Sequence, residues 1–344
     1  LPFAFISEFI AGGFVKNKLE RLFNFRHQVT RIEAKLLQEK KENMKILVAG
    51  SRGLVGSELV SFLRHQGHEV VRLSRSQNAE DELEVIVWDP DSASLNEALL
   101  DGFDVVINLA GENIANKRWT EAQKQEIRES RVKSTTLLAE ALAKVKNPPR
   151  AFLCASAIGY YGDRPDETLN ESSVPIKGDF LSDTCAAWEA ACAPAASVGI
   201  RVVNTRFGII LSPKGGAMSK LLLPFQLGLG GNIGSGEQVM SWIALDDVIY
   251  ALNYAMQNES ISGAVNFTAP NPVTNSEFTK VLGKVLKRPT IFPLPSFAAK
   301  LVLGEMADAL LLSSQKVKPK KLEDSGYEFA YPDLEAALRH LLGK

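Results

Sequence analysis

From residue 45 onward the chain alternates continuous apolar runs with stretches of helical periodicity. Runs rich in β-branched residues at 45–49, 69–74, 84–88, 104–109, 151–155 and 200–205 read as strands, and Pro149 punctuates the chain just before the fifth. The runs lack a polar alternation, so each strand is buried on both faces. The segments between them repeat apolar positions at helical spacing. Crossovers of this kind are right-handed. The expected fold class is α/β, a Rossmann-type doubly wound parallel sheet with a smaller C-terminal substrate-capping region. Residues 263–267 read as a late strand. Residues 275–287, 295–312 and 333–342 read as helices, interrupted by Pro289, Pro293 and Pro295. Residues 213–240 are rich in glycine around an apolar helix at 221–227, the pattern of a lid-like insertion. The organisation expected is therefore a nucleotide-binding domain over 44–268 carrying that insertion, followed by the capping region over 269–344.

Residues 1–43 stand outside this pattern and are expected to be an N-terminal helical extension and linker. Phe9, Phe14, Leu19, Leu22, Phe23, Phe25 and Val29 recur at roughly helical spacing, with Lys16, Lys18, Arg21, Arg26 and Arg31 between them. The charged run 35–43 reads as the linker. A basic amphipathic helix can lie on a membrane or on a partner; the reading preferred is packing on a neighbouring domain. Residues 1–14 are apolar, but Glu8 interrupts them and no basic leader precedes them, a poor match to a secretory signal. The stretch resembles the closing helix of a START-like lipid-binding domain, which implies a fused or docked domain of that kind.

The bulk properties exclude more than they specify. A formal net charge of −1 over 344 residues gives no nonspecific attraction to nucleic acid or anionic lipid. Cys154, Cys185 and Cys192 form no CxxC pair, and an odd set of thiols suits a reducing, cytoplasmic compartment. The scattered histidines show no metal-ligand spacing, so no metal is expected. No apolar run is long enough to span a bilayer.

The chemistry concentrates where the first strand runs into the first helix of the repeat, Lys45-Ile-Leu-Val-Ala-Gly50-Ser51-Arg52-Gly53-Leu54-Val55-Gly56. A strand, three glycines and a helix start form a dinucleotide fingerprint: the first glycine turns the chain, the second admits a pyrophosphate, the third lets helix and strand pack closely. The helix start then favours the phosphate charge. Readers of NAD place an acid at the end of the second strand; here stand Ser74 and Arg75, with Arg52 inside the glycine loop. Two guanidinium groups suit a 2′-phosphate, so the cofactor expected is NADP(H). Asn108-Leu109-Ala110-Gly111 ends the fourth strand, with small residues where the nicotinamide half would pass. Asp89 either contacts the adenine end or initiates a turn before Pro90.

These motifs, taken in order, resemble the extended branch of the short-chain dehydrogenase/reductases, the NAD(P)-dependent epimerase/dehydratase-like proteins. The resemblance covers about 44–344. It rests on the glycine spacing, on Asn108 to Gly111, on Ala155-Ser156-Ala-Ile-Gly-Tyr160-Tyr161-Gly162, and on Gly234-x-Gly236 with Trp242-Ile-Ala-Leu-Asp-Asp247. Arg118-Trp119-Thr120, Ser130-Arg131-Val132 and Trp188-Glu189 are similar to an atypical epimerase-like subfamily of unassigned substrate. The family's Tyr-x-x-x-Lys is missing: at its spacing in Ser182-Asp-Thr-Cys185-Ala-Ala-Trp188-Glu189 stand a thiol and a carboxylate. Glu cannot supply the positive charge that Lys supplies to a neighbouring Tyr.

Candidates to replace the pair are Ser156 as hydrogen-bond partner of a substrate oxygen, Tyr160 or Tyr161 as proton donor, and Glu189 as general base if buried, or else a hydrogen-bonded structural residue. Cys185 reads as an inert thiol, since no His lies near it in sequence. The resemblance implies an NADP(H)-dependent oxidoreductase or epimerase acting on a small carbonyl or sugar-nucleotide-type substrate. The missing pair leaves room for a non-catalytic NADP(H)-binding sensor or scaffold.

Overall fold

The computed structural model describes the backbone of residues 2–77 and 83–344, and the side chains of those residues apart from 2–14 and 17. The helical pattern of the N-terminal arm becomes one helix, α1 (Pro2–Glu39), on which the side chains of Phe9 and Phe14 lie outside the described residues. The alternating runs become β1 (Lys45–Ala49), α2 (Leu54–His65), β2 (Glu69–Ser74), β3 (Val85–Val87), β4 (Val105–Asn108), α3 (Glu121–Leu142), β5 (Ala151–Ala157), β6 (Arg164–Leu169), α4 (Phe180–Ala190), α5 (Ala193–Ser197) and β7 (Arg201–Phe207). Then follow β8 (Ile209–Leu211), α6 (Gly216–Gln226), β9 (Val239–Met240), β10 (Trp242–Ala244), α7 (Leu245–Gln257) and β11 (Gly263–Phe267). The chain closes with β12 (Val273–Thr274), α8 (Asn275–Leu286), α9 (Ser296–Leu303), α10 (Glu305–Ala307), β13 (Gln315–Val317), α11 (Lys320–Asp324) and α12 (Leu334–Leu342).

Seven strands form one parallel sheet in the order β11-β7-β5-β4-β1-β2-β3, a doubly wound Rossmann-like arrangement that reverses direction between β1 and β4. Alternate residues of each strand feed opposite cores. Ile46 and Val48 pack with α2 and α7, whereas Leu47 and Ala49 pack with α3 and α5. This is why the strands read as unbroken apolar runs. Gly50 ends β1 at φ 73°, and a Cβ there would lie 2.6 Å from the Leu109 carbonyl. At Gly56 a Cβ would lie 2.2 Å from the Gly50 oxygen, so α2 could not approach the loop.

The capping region has its own core, in which α6, α8 and α12 close around Trp242 and Tyr331. The short pairs β10–β8, β12–β9 and β13–β6 link it to the body; apart from β6 these strands have only two or three residues, too few to carry a periodicity. Asp247 fastens it: its carboxylate accepts from the Ala330 and Tyr331 amides at 2.8 and 2.9 Å. The glycine-rich stretch is laced to the cap by Phe292 N–H to Gly230 O, Leu294 N–H to Asn232 O and Gly234 N–H to Leu294 O. The expected helix over 295–312 is split at Gly304, which takes φ 62° between α9 and α10.

One sequence reading needs correction. The charged run 35–43 is not a free linker: α1 continues through Glu39, and the charges are paired with the body. Lys35 bridges Glu328 at 3.0 Å, Lys40 donates to the Gln66 carbonyl, and Glu42 pairs with Arg150. Ile32 and Leu36 pack on the sheet-side core, and the Phe25 ring stacks on His340 with centroids 4.7 Å apart. Charge alone suggested solvent; pairing explains the order.

Candidate active site

At the carboxyl ends of β1, β2 and β4 a cleft of about 280 Å³ opens. It brings together Gly50, Ser51, Arg52, Gly53, Ser74, Arg75, Ala110 and Gly111, which line it. Leu54, Val55 and Leu109 lie behind that wall and pack toward the core beneath, with Gly56 buried against the loop. Of the two readings of Asp89, the structure favours the turn. Its carboxylate is spent on its own turn, accepting from Ser92 Oγ at 2.6 Å and the Asp91 amide at 3.0 Å; Trp88 and Pro90 line the cleft in its place. Those bonds hold its carboxyl below the usual range, the Ser92 hydroxyl contributing most. Ser130, from the Ser130-Arg131-Val132 motif, also lines the cleft, as do Ser76, Glu112, Glu126 and Ser134, which no local pattern marked.

The cleft suits a dinucleotide on three counts. The first turn of α2 has no side-chain cap and no acidic residue, so its N–H groups remain available to an anion. Arg52 is fixed at the end of β2 by bonds to Ser74 Oγ at 2.6 Å and to the Ser76 carbonyl at 3.2 Å. Arg75 stands beside it, paired with Asp91 at 3.6 Å and largely solvent-exposed. At the other end Asn108 holds the turn after β4, donating to Thr135 Oγ1 at 2.9 Å and accepting from the Ala110 amide at 3.1 Å.

Beyond Gly111 the sheet register builds a second group. Ser156 of β5 is aligned with Arg206 of β7, which is aligned with Asn266 of β11. Glu189 projects from α4 onto this row. It accepts from Ser156 Oγ, from Arg206 Nε and from Arg206 Nη2, each at 2.7 Å. Arg206 also donates to the Tyr161 hydroxyl at 2.9 Å, and that hydroxyl donates to Asn266 Oδ1 at 2.7 Å. Burial works against the Arg206 charge, but the Glu189 carboxylate and the Tyr161 hydroxyl more than offset it and hold its pKa above the ordinary value. The guanidinium is a permanent buried cation.

The two tyrosines are thereby told apart. Tyr161 is fully buried and its hydroxyl is occupied; burial pushes its pKa up to about 12. Tyr160 is only partly buried, its ring 3.4 Å from the Arg206 guanidinium. Cys185 is buried and burial raises its thiol to about 12, consistent with an inert group. Arg206 and Asn266 were missed from sequence. The available signal was an arginine closing the β-branched run 200–205, a costly place for a charge without a buried partner.

Comparison with known proteins follows the same lines. Residues 46–267 match the profile of the NAD dependent epimerase/dehydratase family, and residues 294–341 match a domain of unknown function, DUF1731. The epimerase family protein Mb2239 of Mycobacterium bovis is 41% identical over 296 residues, covering 86% of this chain and 97% of its own. The crystal structure of human epimerase family protein SDR39U1 with NADPH aligns with a TM-score of 0.79 at 37% identity, over 87% of this chain and 99% of that one. A nucleoside-diphosphate sugar epimerase from Corynebacterium glutamicum aligns with a TM-score of 0.78 at 36% identity, over 94% of this chain and 64% of that one.

Proposed function

The chain belongs to the NAD-dependent epimerase/dehydratase family, and we propose that it is an NADP(H)-dependent oxidoreductase or epimerase acting on a small carbonyl or sugar-nucleotide-type substrate. NADP(H) supplies the hydride chemistry when bound, and the protein supplies orientation and proton handling. The amides of the loop from Gly50 to Gly53 and of the α2 start would hold the pyrophosphate. Arg52, with Arg75, would hold the 2′-phosphate, and the small residues Ala110 and Gly111 would admit the nicotinamide half.

The observation that carries an enzymatic reading is the clamp on Ser156. Its hydroxyl hydrogen is committed to Glu189 Oε1, which leaves the Ser156 oxygen as an acceptor for a substrate hydroxyl. Proton movement from that hydroxyl would run through Ser156 Oγ toward Glu189 Oε1. Arg206 takes over the electrostatic task of the missing Lys, from the neighbouring strand rather than from the helix. Tyr160 offers the less enclosed hydroxyl for substrate contact, and Tyr161 braces Arg206. The test follows nicotinamide absorbance with either redox form of the cofactor and a panel of sugar nucleotides, ketones and aldehydes. Turnover that is lost in both Ser156→Ala and Glu189→Gln is expected. Tight cofactor binding with no turnover across the panel would support the second reading, a non-catalytic sensor or scaffold, which the absence of Tyr and Lys from α4 favours.

A further inference from the structure

We propose that Arg131 makes the site discriminate between the two redox forms of its cofactor, taking NADPH in preference to NADP⁺, so that the protein works as a carbonyl reductase rather than as an epimerase that retains oxidised cofactor. The inference rests on the NADP(H) reading above and adds a direction to it.

Arg131 sits on α3 next to Ser130, which lines the cleft, at the end where β4 gives way to the row containing Ser156. A Cβ on Gly111 would meet its Cγ at 3.2 Å and its Cζ at 3.3 Å, so the guanidinium lies against the backbone that the nicotinamide half must pass. Its other side rests on the Trp188 ring, 5.0 Å from the centroid, on the same helix that carries Glu189. The group is thus wedged between the β4 turn and the helix that positions Ser156.

Among the described residues its charge has no ion-pair partner there: its one hydrogen bond is from Nη1 to the Ile127 carbonyl at 2.8 Å, and no carboxylate lies within ion-pair distance. Glu189 is consumed by Arg206, and Cys185 stays a neutral thiol. Burial disfavours the Arg131 cation most, and Glu112 offsets only part of that. The oxidised nicotinamide ring carries a positive charge and the reduced ring carries none. A lone cation beside that ring repels one form and is indifferent to the other. The 2′-phosphate and pyrophosphate contacts are common to both forms and cancel in the ratio.

The test is a pair of titrations, NADPH and NADP⁺, followed by quenching of tryptophan fluorescence. Wild type is expected to bind NADPH roughly tenfold or more tighter. Arg131→Met should bring the two affinities within about threefold by improving NADP⁺, whereas Arg131→Lys, which keeps the charge, should preserve the preference. Equal affinities in wild type, or a preference that survives in Arg131→Met, would overturn this proposal and leave the cofactor reading intact. The wild-type ratio alone decides if Arg131→Met does not fold. Binding of neither nucleotide would instead overturn the reading of the cleft, and this one with it.

Discussion

Removing Arg206 tests the central arrangement most directly. The Arg206 and Glu189 side chains are 3% and 11% exposed, and they share two bonds of 2.7 Å in a fork-to-fork pair. Arg206→Met leaves the Glu189 carboxylate enclosed, with Ser156 as its one remaining hydrogen-bond partner among the described residues. Breaking one side of such a pair costs about 3–5 kcal/mol, because the survivor is an uncompensated buried charge. Glu189→Met should cost less. The stranded guanidinium keeps the Tyr161 hydroxyl at 2.9 Å and the Tyr160 ring at 3.4 Å. The double variant carries no unpaired charge. Its loss should therefore fall short of the sum of the singles by about 2 kcal/mol or more. Urea midpoints at neutral pH, read from tryptophan emission, supply all three values, with Trp188 on the same helix reporting locally. Single losses below about 1 kcal/mol that simply add would refute the clamp and the catalytic role built on it.

The remaining expectations are more local. Arg52→Ala should weaken NADPH about 10- to 100-fold, matching a lost charged hydrogen bond, and leave NADH nearly unchanged; Arg75→Ala should do less, since Arg75 is 61% exposed and shared with Asp91. Calorimetry showing equal losses for both nucleotides would remove the 2′-phosphate from the account. Gly53→Val should abolish binding of both while preserving the fold. A Cβ there meets nothing in the protein closer than the Gly50 oxygen at 3.3 Å, so the side chain would fill the cleft. Unchanged binding would place the pyrophosphate elsewhere. His68 is held neutral: its Nδ1 accepts from the Met44 amide at 3.1 Å, and burial, with Lys40 and Arg150 nearby, lowers its pKa to about 4. The folded state thus binds fewer protons than the unfolded one between pH 6.5 and 4. That contribution, on the order of 2 kcal/mol, is complete above pH 6.5 and drains away as pH falls. His68→Gln should flatten the acid limb of the urea midpoint against pH; an unchanged slope would mean that other groups set it.

The sheet and the cofactor half were legible because their determinants are local. A strand buried on both faces must be apolar at every position, as at 45–49 and 104–109, and the turn after β1 must contain residues without a Cβ. Arg52 and Arg75 could be assigned to one place because each lies within three residues of a strand end. Asp89 shows the limit of that logic, since its neighbours Trp88 and Pro90 face the cleft while its carboxylate closes a turn. The pairing of α1 with the body was invisible for another reason: Lys35 meets Glu328 across almost the whole chain.

The group around Ser156 was hidden by the same kind of distance, and its logic becomes plain once the register is known. Ser156, Glu189 and Arg206 are separated by 33 and 17 residues, and Tyr161 reaches Asn266 across 105. No short window of sequence contains both members of any of these bonds. Yet each member is anomalous alone. A carboxylate stands where the family's helix has a cation, and a cation ends a strand that is otherwise apolar. Either substitution by itself would bury an unpaired charge, at a cost too large to carry. Together they restore neutrality, and Glu189 fixes the Ser156 hydroxyl at 2.7 Å. The pairing also explains why Arg131 can stay unpaired. With Glu189 committed to Arg206, no described carboxylate pairs with Arg131 and Glu112 offsets only part of its burial, which is what the proposed preference for the uncharged reduced ring needs.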